Sequence, residues 1–201
     1  EKSSEDDLYE ILRRTVSANP LIHGAAIAFE PDVFAQRKRF APYVYREGER
    51  FKAIDIAKGS GSYIERELPW YNAAKKTAAA TWSEPYFDAD ASGINVITFS
   101  VPIFRADRIV GVATVDIDPT HLLERAGVPA DDRTAVFVVS RAGNISVHHT
   151  VESINQPLIS ADIVVTQKGR GLLINAVSGA LIETETPSGS PVWLSMAEIA
   201  T

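Results

Sequence analysis

The chemistry this chain can offer is concentrated in four aromatic side chains and one isolated carboxylate. Tyr63, Trp70, Tyr71 and Tyr86 fall within a single stretch, and Asp116 closes an otherwise apolar strand pattern, Ile109–Ile117. Alternation along that strand places Val110, Val112, Thr114 and Asp116 on one face. A carboxylate on such a face is costly to bury unless it meets a cation or several donors. A ligand ammonium, an arginine or tyrosine hydroxyls would each satisfy it; a structural hydrogen bond to a loop backbone is the alternative. The preceding strand pattern, Asn95–Phe104, turns Val96, Thr98 and Ser100 one way and Ile97, Phe99, Val101 and Ile103 the other. Thr98, Ser100 and Thr114, with Asp88 in the loop before them, are the small polar groups a polar ligand needs. The aromatic rings serve a cation through their faces or serve simply as core. The pattern describes a small-molecule pocket without a catalyst.

Catalytic and metal-binding patterns are incomplete throughout. No serine lies in a Gly-x-Ser-x-Gly setting, and His23, His121, His148 and His149 belong to no catalytic motif. His148 and His149 are strand neighbours that point to opposite faces, at a spacing no zinc motif uses. Asp88, Asp90, Ser92 and Gly93 open like a calcium loop, but Phe99 occupies the position that needs a glutamate, so a solvated acidic turn is the simpler reading. Neither a phosphate-binding Gly-Lys-Ser/Thr loop nor Gly-x-Gly-x-x-Gly occurs. The chain calls for no cofactor.

Composition narrows the partners. The formal charge is −6, with no basic block longer than Arg37-Lys38-Arg39, which argues against nucleic acid or an anionic membrane surface. There is no cysteine, hence no disulfide. No run reaches the roughly 20 apolar residues of a membrane span. The chain begins inside a helical pattern and ends after a strand-like run, as a piece excised from a longer protein would.

The elements that must position the pocket follow in order. Leu8, Ile11, Leu12, Thr15 and Val16 mark an amphipathic helix over 4–18, with Ser4 and Asp7 as a capping box and Asn19-Pro20 as its stop. Ile22–Phe29 reads as a buried strand in which Gly24 permits close approach. Phe40–Tyr45 and Phe51–Ile56 read as a hairpin around residues 46–49. Pro69 opens a short helix with Trp70, Ala73, Ala74 and Thr77 on one face, and Trp82–Gly93 reads as a loop. Asp118 caps a helix to about Ala126, and the polar break Gly127–Arg133 follows it. Thereafter Thr134–Val139, Asn144–His148, Arg170–Val177, Leu181–Thr186 and Val192–Ile199 repeat the strand order of the first half in shorter form.

Pro-Trp-Tyr at 69–71, Trp-Ser-Glu-Pro-Tyr-Phe-Asp at 82–88, Ser-Val-Pro-Ile at 100–103 and Gly-Val-Ala-Thr-Val-Asp-Ile at 111–117 resemble the double Cache sensor domains of bacterial transmembrane receptors. The likeness is closest to the extracytoplasmic parts of sensor histidine kinases and membrane-anchored serine phosphatases. It implies an α+β fold: a stalk helix at 1–19, a membrane-distal PAS-like module with the pocket at 20–118, and a smaller membrane-proximal module at 119–201. It also implies a homodimeric parent anchored by helices outside this segment, a small polar ligand (an amine, an amino-acid-like molecule or an organic acid), and no catalysis in the segment itself.

In the amino-acid-binding subgroup of that family a Tyr, an Arg five residues on, a Trp-Tyr pair and a later Asp hold the ligand. Tyr63, Trp70, Tyr71 and Asp116 fall in register, whereas the arginine position holds Leu68. An alkyl chain cannot make the bidentate contact of a guanidinium with a carboxylate. The pocket then favours a cation, unless Arg66 turns inward. A secreted enzyme or carbohydrate-binding module, or a spacer whose pocket is filled by its own side chains, are the competing expectations.

Overall fold

The structure, a computed structural model, describes residues 4–35, 37–59, 63–64, 68–125, 138–140, 144–147, 154, 181–185 and 191–195. Helix α1 (Glu5–Ala18) carries the expected capping box, with Asp7 N donating to Ser4 Oγ at 3.1 Å and Ser4 N donating to Asp7 Oδ2 at 2.7 Å. Its buried stripe is narrower than the periodicity suggests. Leu8, Leu12 and Val16 are buried at i, i+4, i+8, while Ile11 stays half exposed. A short helix packed against a sheet along one ridge needs only that ridge.

The sheet has seven strands, all paired antiparallel, in the order β3-β2-β1-β7-β6-β4, with β5 added beside β6. Its strands are β1 (Ile22–Phe29), β2 (Pro42–Glu47), β3 (Arg50–Asp55), β4 (Thr81–Trp82), β5 (Tyr86–Phe87), β6 (Asn95–Arg105) and β7 (Arg108–Ile117). The β2–β3 turn closes more tightly than expected, since Glu47 pairs with Arg50 and only Gly48 and Glu49 remain between; Gly48 takes φ +62°. The segment 82–93, expected as a loop, contributes β5 and the last residue of β4 to the sheet edge.

Helix α1 covers one face of the sheet, packing on Ala25 and Val44 with Phe51 and Val115 beside them. The opposite face carries a single 3-10 turn (Ile56–Lys58) and helix α2 (Pro69–Thr77). Pro69 opens α2 as expected, but the buried residues are Trp70, Tyr71 and Ala74, with Thr77 exposed. Together with Tyr63 they pack on Ala28, Ala41 and Val112. The two faces of β6 are buried in the reverse of their hydropathy: Val96, Thr98 and Ser100 are buried, whereas Phe99 is half-buried and Val101 exposed. Helix α2 covers the polar side of the sheet, and Tyr86 of the neighbouring β5 reaches Thr98 there.

Beyond β7, helix α3 (Pro119–Arg125) starts where Asp118 caps it, Oδ1 accepting from Thr120 N at 2.8 Å. Two further hairpins follow, β8 (Val138–Val139) with β9 (Ile145–Val147), and β10 (Leu181–Glu185) with β11 (Pro191–Ser195). The first lies within the strand pair the sequence calls for, and in the second β11 begins one residue ahead of the expected Val192. The expected strand Arg170–Val177 and His148-His149 lie outside the described residues. No helix among the described residues is long and apolar enough to cross a membrane.

Candidate ligand site

Strand pairing builds the floor of the site from small residues. Gly24 lies opposite Asp116 and Ala26 opposite Thr114 across β1–β7, while Thr98 and Ser100 lie opposite the same two residues across β6–β7. The lack of a side chain at Gly24 is filled from β2: a Cβ there would sit 2.3 Å from Tyr43 Oη. The close approach expected at Gly24 is thus the passage of the Tyr43 ring across β1 towards Asp116.

Over this floor lies a cavity of about 80 Å³. Ala26, Tyr43, Thr114 and Asp116 form its base, Leu68 and Trp70 one wall, and residues 86–91 the other, with Ile56 at the rim. Six of the ten residues expected at the site line it: Leu68, Trp70, Tyr86, Asp88, Thr114 and Asp116. The other four support it from outside. Tyr63 is fully buried and donates its hydroxyl to Phe29 O at 2.5 Å. Burial pushes that phenol up to about 12.

Tyr71 donates to the Glu30 carboxylate, which also pairs with Lys75 at 2.5 Å, and this clamp fixes α2 on the end of β1. Consecutive helical residues project about 100° apart, so Trp70 and Tyr71 cannot both face the cavity. Ser100 is buried with its hydroxyl unpartnered. Thr98 is buried behind Tyr86, accepting from or donating to its hydroxyl at 2.8 Å.

Asp116 is the electrostatic centre. It is 5% exposed, and Thr98 Oγ1 donates to its Oδ1 at 2.7 Å. Burial raises its pKa to about 7, the hydroxyls of Thr98 and Tyr43 pull it down, and the negative charge of Asp88 adds a small push upward. The Tyr43 hydroxyl is near enough to favour the carboxylate, yet its geometry falls short of a hydrogen bond and it has no other partner. Tyr43 is 2% exposed, and burial holds its pKa well above the ordinary range. A buried carboxylate and an unpaired buried hydroxyl therefore face one small cavity.

Asp88 is engaged locally, its Oδ2 accepting from Ser92 N at 2.9 Å and Ser92 Oγ at 2.7 Å, in the manner of an acidic turn. Among the described residues no group of acidic and histidine side chains is arranged to hold a metal. Sequence reasoning missed Tyr43, Ala26 and Ile56 at the cavity, and Phe87, Ala89, Asp90 and Ala91 in its 86–91 wall. Of these only Tyr43 had a signal, the glycine on the neighbouring strand that leaves room for its ring.

A helix on one face of an antiparallel sheet and a capped, aromatic-walled cavity on the other define a ligand-sensing module. Residues 8–124 match the methyl-accepting chemotaxis protein-like first PDC sensor domain, and the chain belongs to that family. No curated protein matches the chain. Among solved structures it is similar to the extracellular domain of the putative histidine kinase soHK1S-Z6, with 27% identity and a TM-score of 0.81 over 98% of this chain and 73% of that one.

It is also similar to the ligand-binding domain of the Pseudomonas aeruginosa PAO1 amino acid chemoreceptor PctB in complex with L-Arg (18% identity, TM-score 0.62, 96% and 66% covered). The corresponding domain of PctC from the same organism, in complex with GABA, is likewise similar (20%, 0.58, 90% and 69%). These last two share the fold. The chain is accordingly a sensor segment, a member of the first PDC sensor domains of chemotaxis-protein-like receptors and similar to the extracellular domain of a histidine kinase.

Proposed function

We propose that this segment is the extracytoplasmic part of a membrane receptor and that its first module binds a small ligand carrying an ammonium group. The observation that carries this reading is Asp116, a carboxylate buried under a cavity with no cation among its described neighbours. Left alone, such a group costs folding free energy. An incoming ammonium would offset that cost, take up the free Tyr43 hydroxyl's lone pairs, and meet the faces of Trp70 and Tyr86. L-Arg and GABA, the ligands of the two chemoreceptor structures, both carry a cationic group of this kind. Leu68 stands in the wall where a carboxylate of the ligand would need a donor, so amines without a carboxylate are the favoured class.

In the parent, residues 20–118 and 119–201 act as two modules behind a stalk helix, within a homodimer anchored by helices outside this segment. Ligand selects the form in which residues 58–93 close on the sheet, and the population shift passes to the stalk and the second module. Thermal-shift screening with amines, amino acids and organic acids tests this. Amines should raise the melting temperature of the wild type and leave Asp116→Asn unmoved. Stabilisation by organic acids alone, or a response that survives Asp116→Asn, would remove Asp116 from the role.

A further inference from the structure

Thr98 joins the sheet to the segment that walls the cavity. Its backbone bonds twice to Ser83: Thr98 N donates to Ser83 Oγ at 3.0 Å and Ser83 N donates to Thr98 O at 2.8 Å. Its hydroxyl has a single proton, and that proton goes to Asp116 Oδ1 at 2.7 Å. The 2.8 Å contact with Tyr86 therefore runs with Tyr86 as donor and Thr98 as acceptor. The chain Tyr86 to Thr98 to Asp116 has a direction, and Asp116 fixes it by accepting at the end. Thr98 is 1% exposed, so water does not substitute for either partner. Strand β5, which carries Tyr86, is otherwise paired with β6 through two residues only, and Phe87 beside it is 60% exposed.

We propose that Thr98 is a positioning residue that transmits the charge of Asp116 to Tyr86, so that a cation stabilising the carboxylate tightens residues 83–93 over the cavity. The ligand half of this rests on the role proposed above for Asp116; the coupling itself does not. With Asp116 ionised, the Thr98 bond is charge-assisted, roughly twice the strength of a neutral one, and the Thr98 lone pairs are committed to Tyr86. A protonated Asp116 offers its own O–H to Thr98, and the direction of the chain is no longer fixed.

The groups facing Asp116 are Tyr43 from β2, Tyr86 from β5, and Asp88 and Asp90 from the turn after it, while His23 on β1 feels Asp88 and Asp118. Burial holds the two phenols protonated well above neutrality. Burial pushes the His23 imidazole down, which makes it the group to control for.

Hydrogen exchange at the amides of Ser83, Asp88, Ser92 and Gly93, all bonded in this structure, reads the effect without any ligand. Rates at about pH 5.5 and about pH 8.5 are corrected for intrinsic exchange and compared with β1 and β2 amides. Protection at 83–93 should rise about fivefold at the higher pH. Thr98→Ser and His23→Gln should keep that rise, while Tyr86→Phe, Thr98→Val and Asp116→Asn should lose it. Tyr86→Phe leaves the Thr98–Asp116 bond in place, so it separates transmission from a merely structural role. A full response in Tyr86→Phe, or its loss in Thr98→Ser or His23→Gln, overturns the proposal. A normal response in a protein that no amine stabilises would uphold the coupling and remove the ligand reading.

Discussion

Replacing Asp116 by asparagine should make the ligand-free protein more stable, and more so as pH rises. The carboxyl has a folded-state pKa of about 7 against an ordinary value of 3.8, with burial as the main cause. Because the folded value is raised, the folded state keeps a proton that the unfolded chain releases between those two values. Stability from this group is complete below about pH 4, falls by ~1.4 kcal/mol per pH unit above it, and levels off beyond about pH 7. Across that interval the loss accumulates to ~4 kcal/mol at pH 8.

Asparagine is nearly isosteric, keeps an oxygen to accept from Thr98, and carries no charge to bury. The difference between variant and wild type should be near zero at about pH 4 and reach ~3–4 kcal/mol at about pH 8 in urea titrations. Other titrating groups cancel because they are common to both proteins. A difference that does not change with pH, or a variant less stable than the wild type at pH 8, would refute the claim that Asp116 is buried without a counter-charge. The same substitution should remove amine binding, so stability and sensing are set against each other at one residue.

Further expectations attach to three other positions. Gly24→Ala would drive a methyl into the Tyr43 ring; overpacking of this kind costs ~1–3 kcal/mol, and displacing Tyr43 should weaken any amine-induced thermal shift as well. Ala78 ends α2 in the left-handed region at φ 50°, so Ala78→Gly should raise stability by ~1 kcal/mol in urea titrations with ligand response unchanged. Leu68→Arg places a guanidinium in the cavity wall, and calorimetry should find α-amino acids binding at least ~10-fold more tightly to the variant than to the wild type.

The residues of the floor were legible because strand alternation is a property of the backbone. Thr114 and Asp116 share a face whatever surrounds them, and once β6 and β7 are recognised as a hairpin, Thr98 and Ser100 must lie beside them. What alternation cannot decide is which face another element covers. Hydropathy favours the Ile97–Phe99–Val101 side of β6 as core, yet α2 settles on the polar side, where Tyr86 also reaches Thr98. Helix α1, which would have to cover the apolar side, lies over β1 and β2 instead. The cost of burying Thr98 is met by its bonds to Ser83, Tyr86 and Asp116, all contributed by other elements.

The aromatic residues divide for a similar reason. Tyr63, Trp70 and Tyr71 look equivalent in sequence, but α2 turns Trp70 to the cavity and Tyr71 to Glu30, and Tyr63 is tied to the end of β1. Tyr43 reaches the site only because β1 separates it from Asp116 with a glycine, a condition that joins three strands distant in sequence. Local pattern thus determines which side chains share a surface, while the function of that surface depends on what non-local packing leaves uncompensated upon it. At this cavity the groups so left are one carboxylate and one phenol, the pair on which the proposed preference for a cation rests.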